Sequence, residues 1–130
     1  MFLNMLTVEE KRAFTLLAEK VIDADGIVVG REAAALAALK GEMGLAAGAP
    51  DSRNVEELAR VFGSRRSKVA ALLELFGLAY SDADFEPREL TLIARVAHNM
   101  GVTGDELTAI EQWVHDHVAL VRRAMKLMEA

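Results

Sequence analysis

Ile22-Asp23-Ala24-Asp25-Gly26-Ile27-Val28-Val29-Gly30-Arg31-Glu32 is the stretch on which the fold turns. An apolar helical pattern runs into it, an acidic Asp-Gly bend interrupts it, and a second helix opens at Glu32. A variant recurs at Ala79-Tyr80-Ser81-Asp82-Ala83-Asp84-Phe85-Glu86-Pro87-Arg88-Glu89. Sliding the first copy onto the second at an offset of 57 aligns Asp25 with Asp82, Arg31 with Arg88, Glu32 with Glu89, Ala37 with Ala94, Met43 with Met100 and Gly44 with Gly101. Each half then reads as helix, acidic bend, helix and glycine stop, an internal repeat of residues 7–45 on 64–102.

Outward from these bends the helices announce their own ends. Thr7 and Glu10 have the spacing of a capping box, in which the Thr hydroxyl and the Glu carboxylate satisfy each other's backbone N–H. Phe14, Leu17, Ala18 and Val21 follow at helical spacing. Leu36, Leu39 and Met43 share a face in the second helix, before a linker-like stretch over residues 46–52. Asn54 with Glu57 caps a short third helix, expected to end near Phe62. A fourth carries Val69, Leu72, Leu73, Phe76 and Ala79. Pro87 suits the first position of a fifth, where its missing N–H costs nothing, and Gly101 suits its stop. Thr103 and Glu106 form another capping box, opening a closing helix over 103–128 with Leu107, Ile110, Val114, Val118 and Val121 on one face. Nothing alternates with period two. The expected fold is all-α: a single-domain bundle of about six to seven helices, spanning residues 1–130 and built from two pseudo-repeated helical hairpins.

Composition narrows the function classes. With 130 residues, 52% of them hydrophobic, the chain can bury a real core as one domain. It contains no cysteine, so disulfides, thiolate metal sites and a Cys nucleophile are excluded and a reducing, cytoplasmic setting is expected. A net charge of −5 argues against a protein whose main task is gripping nucleic acid or anionic lipid. Met1–Leu6 is apolar but too short for a signal-peptide core and runs straight into Glu9 and Glu10.

Three groups of residues carry candidate chemistry. In the acidic bends, Asp25 and Glu32, like Asp82 and Glu89, stand seven apart, so a loop carboxylate and one from the next helix's first turn can converge on an oxygen-seeking cation. An EF-hand is not meant by this. In that register Asp23, Asp25, Gly26 and Glu32 fit, but the first ligand position falls on Val21, and on Leu78 in the second copy. A structural role is the competing account, with Glu32 and Glu89 favouring helix N-termini and Arg31 and Arg88 as ion-pair partners. Next, Ala59, Gly63 and Val69 match the small residue, turn glycine and apolar anchor of a helix-turn-helix over residues 58–72, with Arg65, Arg66 and Lys68 placed for phosphates. Three such matches arise easily in an Ala/Leu-rich chain. Finally, His115 and His117 are two apart on one helix and point to different faces. There is no His-Glu-x-x-His pair, phosphate-binding loop or nucleophile elbow, so no catalytic residue is named and a non-enzymatic role is expected.

Leu6-Thr7-x-Glu9-Glu10-Lys11, then Ala24-Asp25-Gly26 and Glu32, then the echo at Asp82 and Glu89, resembles the TerB-like domain of tellurite-resistance proteins. The likeness covers nearly the whole chain, although the second copy has Ala83 and Pro87 where the first has Gly26 and Gly30. It implies an all-helical pair of pseudo-symmetric hairpins with no established catalytic activity. It also implies a place in resistance to tellurite and chemical stress, and protein partners in a stress-resistance assembly, in some members peripheral to the inner membrane. Its acidic residues are proposed to bind a divalent metal, a set that falls here on Asp25, Glu32, Asp82 and Glu89.

Overall fold

A computed structural model of the chain describes residues 2–23, 52–80 and 87–129. Among the described residues the structure is helical throughout, with no strand. A 3-10 turn at Leu3–Met5 precedes α1 (Val8–Ile22), α2 (Val55–Ala59), α3 (Arg65–Ala79), α4 (Pro87–Asn99) and α5 (Gly104–Glu129).

The helix ends follow from their local chemistry. Thr7 Oγ1 accepts the Glu10 N–H while Glu10 Oε1 accepts the Thr7 N–H at 2.9 Å. Asn54 and Glu57 repeat that exchange at α2, and Ser64 with Ser67 at α3. Pro87 is the first residue of α4. At the other end of α4, Gly101 adopts φ +77°, and the N–H groups of Val102 and Gly101 return to the carbonyls of Ala97 and His98. That 6→1 and 5→2 pair closes the helix with a left-handed residue, which favours glycine there. One boundary differs from expectation. α2 stops at Ala59 and not near Phe62, because Arg60 and Val61 turn back on Glu56 and Leu58 and free Phe62 to fold into the core, where it is buried.

α3 is the centre of the bundle, packing against the 3-10 turn, α1, α4 and α5. The stripe expected from the sequence is too narrow for that role. Ala70, Ala71, Leu75 and Leu78 are buried together with Leu72, Phe76 and Ala79, while Val69 and Leu73 are only half-buried. A helix surrounded by neighbours buries apolar residues on most of its circumference. Phe14, Leu17 and Ala18 of α1 and Ile93, Val96 and Ala97 of α4 complete the core. Leu3 and Leu6 are buried, and the Phe2 N–H donates to Glu74 Oε1 of α3 at 2.8 Å, which pins the start of the chain to the central helix.

α1 and α3 are each 15 residues long, and Val8 and Arg65, their first residues, stand 57 positions apart. Their N-termini meet. Glu10, three residues into α1's cap, sends Oε2 to the Gly63 N–H at 3.0 Å, next to the capping pair of α3.

Candidate functional site

Of the four acidic residues singled out by the repeat, Asp25, Glu32 and Asp82 lie outside the described residues. Glu89 lies in the first turn of α4 and is 1% exposed. The partial charges at a helix N-terminus favour an acidic residue in the first turn, whether it is hydrated or partly buried. Burial adds a desolvation cost that must be met by donors or by positive charge. Among the described residues, no group of three or more His, Cys, Asp or Glu could hold a metal ion. A cation at Glu89 would therefore need the acids of the bends themselves.

The basic segment sits at the start of α3. Arg65 reaches Glu106 of α5 at 2.8 Å. Arg66 is exposed and Lys68 half-buried. The three residues do not present a free cationic row, since the first is held by a carboxylate 41 positions along the chain. Thr103 still accepts the Glu106 N–H at 3.2 Å, but the Glu106 side chain has turned from the expected capping box to Arg65. α2, the first helix of the helix-turn-helix reading, is five residues long and packs on α1 and α4. A shallow cleft of about 280 Å³ on α4 is lined by Arg88, Thr91, Leu92 and Arg95, with Arg95 bound to Glu56 of α2.

Two polar groupings emerge that the sequence does not announce. Glu10 is 5% exposed. Burial pushes its carboxyl up, but hydrogen bonding from Ser67, Thr7 and Gly63 outweighs this and holds it below the ordinary carboxylate value. Its spacing from Thr7 signals a cap, and nothing in the sequence signals its second bond to Gly63. The other grouping joins the end of α3 to α5. Tyr80 is buried against Phe76 and donates its hydroxyl to Glu111 Oε1 at 2.7 Å. His115 lies 4.3 Å from the Tyr80 ring, with Nε2 3.8 Å from the same carboxylate oxygen. The i, i+4 spacing of Glu111 and His115 is legible in the sequence, but their convergence on Tyr80 is not. His117 turns away and stacks on Trp113 at 5.1 Å, so the two histidines do point to different faces.

Burial, and then the bond to Glu111 and its negative charge, raise the Tyr80 phenol well above its ordinary value. A phenol whose pKa is raised by folding stabilises the fold below the unfolded value of about 10, and that contribution disappears as pH rises through the folded value. Tyr80 is the only tyrosine, so absorbance at the phenolate band reads it alone. Folded protein is expected to show no ionisation through about pH 10.5, and Tyr80 to titrate only as the helices melt. A normal titration with helicity intact would contradict the buried hydrogen bond.

No protein-family model, curated protein or solved structure matches this chain. No helix among the described residues is long and apolar enough to cross a membrane.

Proposed function

We propose that this chain is a non-enzymatic, acidic module of the tellurite-resistance TerB type. In it, the corners formed by Asp25 with Glu32 and Asp82 with Glu89 bind a divalent cation through oxygen ligands, and the module serves as a scaffold for protein partners in a stress response. The observation that carries this reading is the burial of Glu89 beside the second acidic bend, where its desolvation must be offset by donors or by positive charge. The shared length of α1 and α3 and their offset of 57 support the duplication, because Thr7 and Ser64, their caps, hold the same offset. In a bundle made of two copies of one hairpin, the two acidic corners are equivalent parts. Carboxylates suit hard cations such as calcium, magnesium or manganese.

Titration calorimetry with each of these ions tests the proposal. A ligand that binds only the folded state stabilises it by about 2.7 kcal/mol at a hundredfold excess over its Kd, so a saturating ion is expected to raise the melting temperature by several degrees. That rise and the binding heat are expected to vanish in Asp25→Ala/Glu32→Ala and in Glu89→Gln. No heat and no thermal gain for the wild-type protein would remove the metal from this reading.

A further inference from the structure

α5 runs for 26 residues, about 39 Å, yet Ile110 and Val114 are its only buried residues. The stripe that packs on α3 uses Ile110 and Val114 with half-buried Leu107 and Val118. A second stripe, rotated from the first, follows Trp113, His117, Leu120, Ala124 and Leu127 at spacings of four, three, four and three. That is the heptad rhythm of a helix seam that meets another helix. From Ala119 to Glu129 every residue is exposed, including Leu120 (59%), Val121 (47%), Met125 (53%), Leu127 (79%) and Met128 (77%).

We propose that this face of α5 is covered by α5 of a second copy of the chain, running antiparallel about a two-fold axis near Leu120. Three observations favour this occupant. With Trp113, exposed Leu120, Val121, Leu127 and Met128 form one apolar run along the helix, and a contiguous exposed patch of this kind marks an interaction site. The helix is also divided by charge: Asp105, Glu106, Glu111 and Asp116 fall in its first half, and Arg122, Arg123 and Lys126 in its second, with Glu129 at the end. About an axis near Leu120 the two copies overlap from Glu111 to Glu129, and Asp116 of each lies beside the Arg122–Arg123 pair of the other. Most specifically, Asp116 and Arg123 flank the seam on one edge, seven apart, while exposed Val121 and Met128 flank the other. Antiparallel helices bring like edges together, so Arg123 of each copy meets Asp116 of the other and the apolar edges meet each other. A parallel pair would set both charges against apolar side chains. The acidic first half and the net charge of −5 disfavour an anionic membrane as the occupant.

Sedimentation equilibrium of the full chain across the micromolar range is expected to show a reversible dimer. Leu120→Asp is expected to leave a monomer with unchanged helicity, since the residue touches solvent in the single copy. Arg123→Asp and Asp116→Arg are each expected to weaken the dimer roughly tenfold, and the double variant to regain it, because close charge pairs across an interface are energetically coupled. A wild-type monomer at every concentration overturns the proposal. So does a dimer that ignores Leu120→Asp, a double variant no tighter than the singles, or a monomer that pelts the same face onto vesicles of anionic phospholipid.

Discussion

Replacing Phe76 by alanine is expected to destabilise the fold by about 3–5 kcal/mol, the range for deleting a fully buried aromatic side chain. Phe76 is 1% exposed in the middle of α3, the helix that the 3-10 turn, α1, α4 and α5 all touch. Its ring stacks on Tyr80 at 6.3 Å and 21°, so the substitution also loosens the tyrosine that donates to Glu111. Ala79, three residues on, is too short to fill the space, and α3 is held on several sides, so the cavity cannot collapse. Small domains hold only about 5–15 kcal/mol in total, and the loss would remove a large part of it. Urea denaturation should show a lower midpoint with the slope unchanged. A loss below about 1 kcal/mol would mean that α3 is not the centre of the core.

The second large effect is expected at Glu10. Alanine there strands the N–H groups of Thr7 and Gly63, which Glu10 accepts at 2.9 and 3.0 Å. Thr7 and Gly63 are themselves exposed, so water replaces part of what these donors lose, and a total of about 1–2 kcal/mol is expected, the upper part of the range for losing a helix cap. The pH dependence has a definite sign. The folded pKa of Glu10 is lowered, so its contribution is complete above the unfolded value of about 4.5 and is lost as pH falls through the lower, folded value. Glu10→Gln keeps one acceptor and does not titrate. Thermal melts from neutral pH down to about pH 3 should therefore converge, with the wild type losing its advantage over Gln only in acid. An advantage that persisted unchanged at the acid end would show that the charge on Glu10 is not what joins α1 to α3.

These two positions also mark where reading the sequence succeeded and where it stopped. Phe76 was legible as core, since it falls with Leu72 and Ala79 at helical spacing. Glu10 was legible only as a cap for α1. Its reach to Gly63 joins residues 53 apart, and no local spacing encodes that. Of the acidic set, Glu89 shows the same division. Its place in the first turn of α4 follows from Pro87, whereas its burial depends on which helices pack over it. Asp25, Glu32 and Asp82 fall outside the described residues, and their part in the site rests on the repeat and on the proposed cation.

By itself the sequence determined where α1, α2 and α4 begin and where α4 ends. Thr7 with Glu10, Asn54 with Glu57, Pro87 and Gly101 act through hydrogen bonds and backbone sterics that span a few residues, so their outcome hardly depends on the rest of the chain. Tertiary structure decided what each side chain at those ends is used for. Glu106 abandons half of its cap for Arg65, Phe62 leaves the helix for the core, and Val121 stays exposed although it continues the stripe of Ile110 and Val114. Burial and charge pairing are set by neighbours distant in sequence, and the low dielectric of a packed interior gives those neighbours the larger free energies.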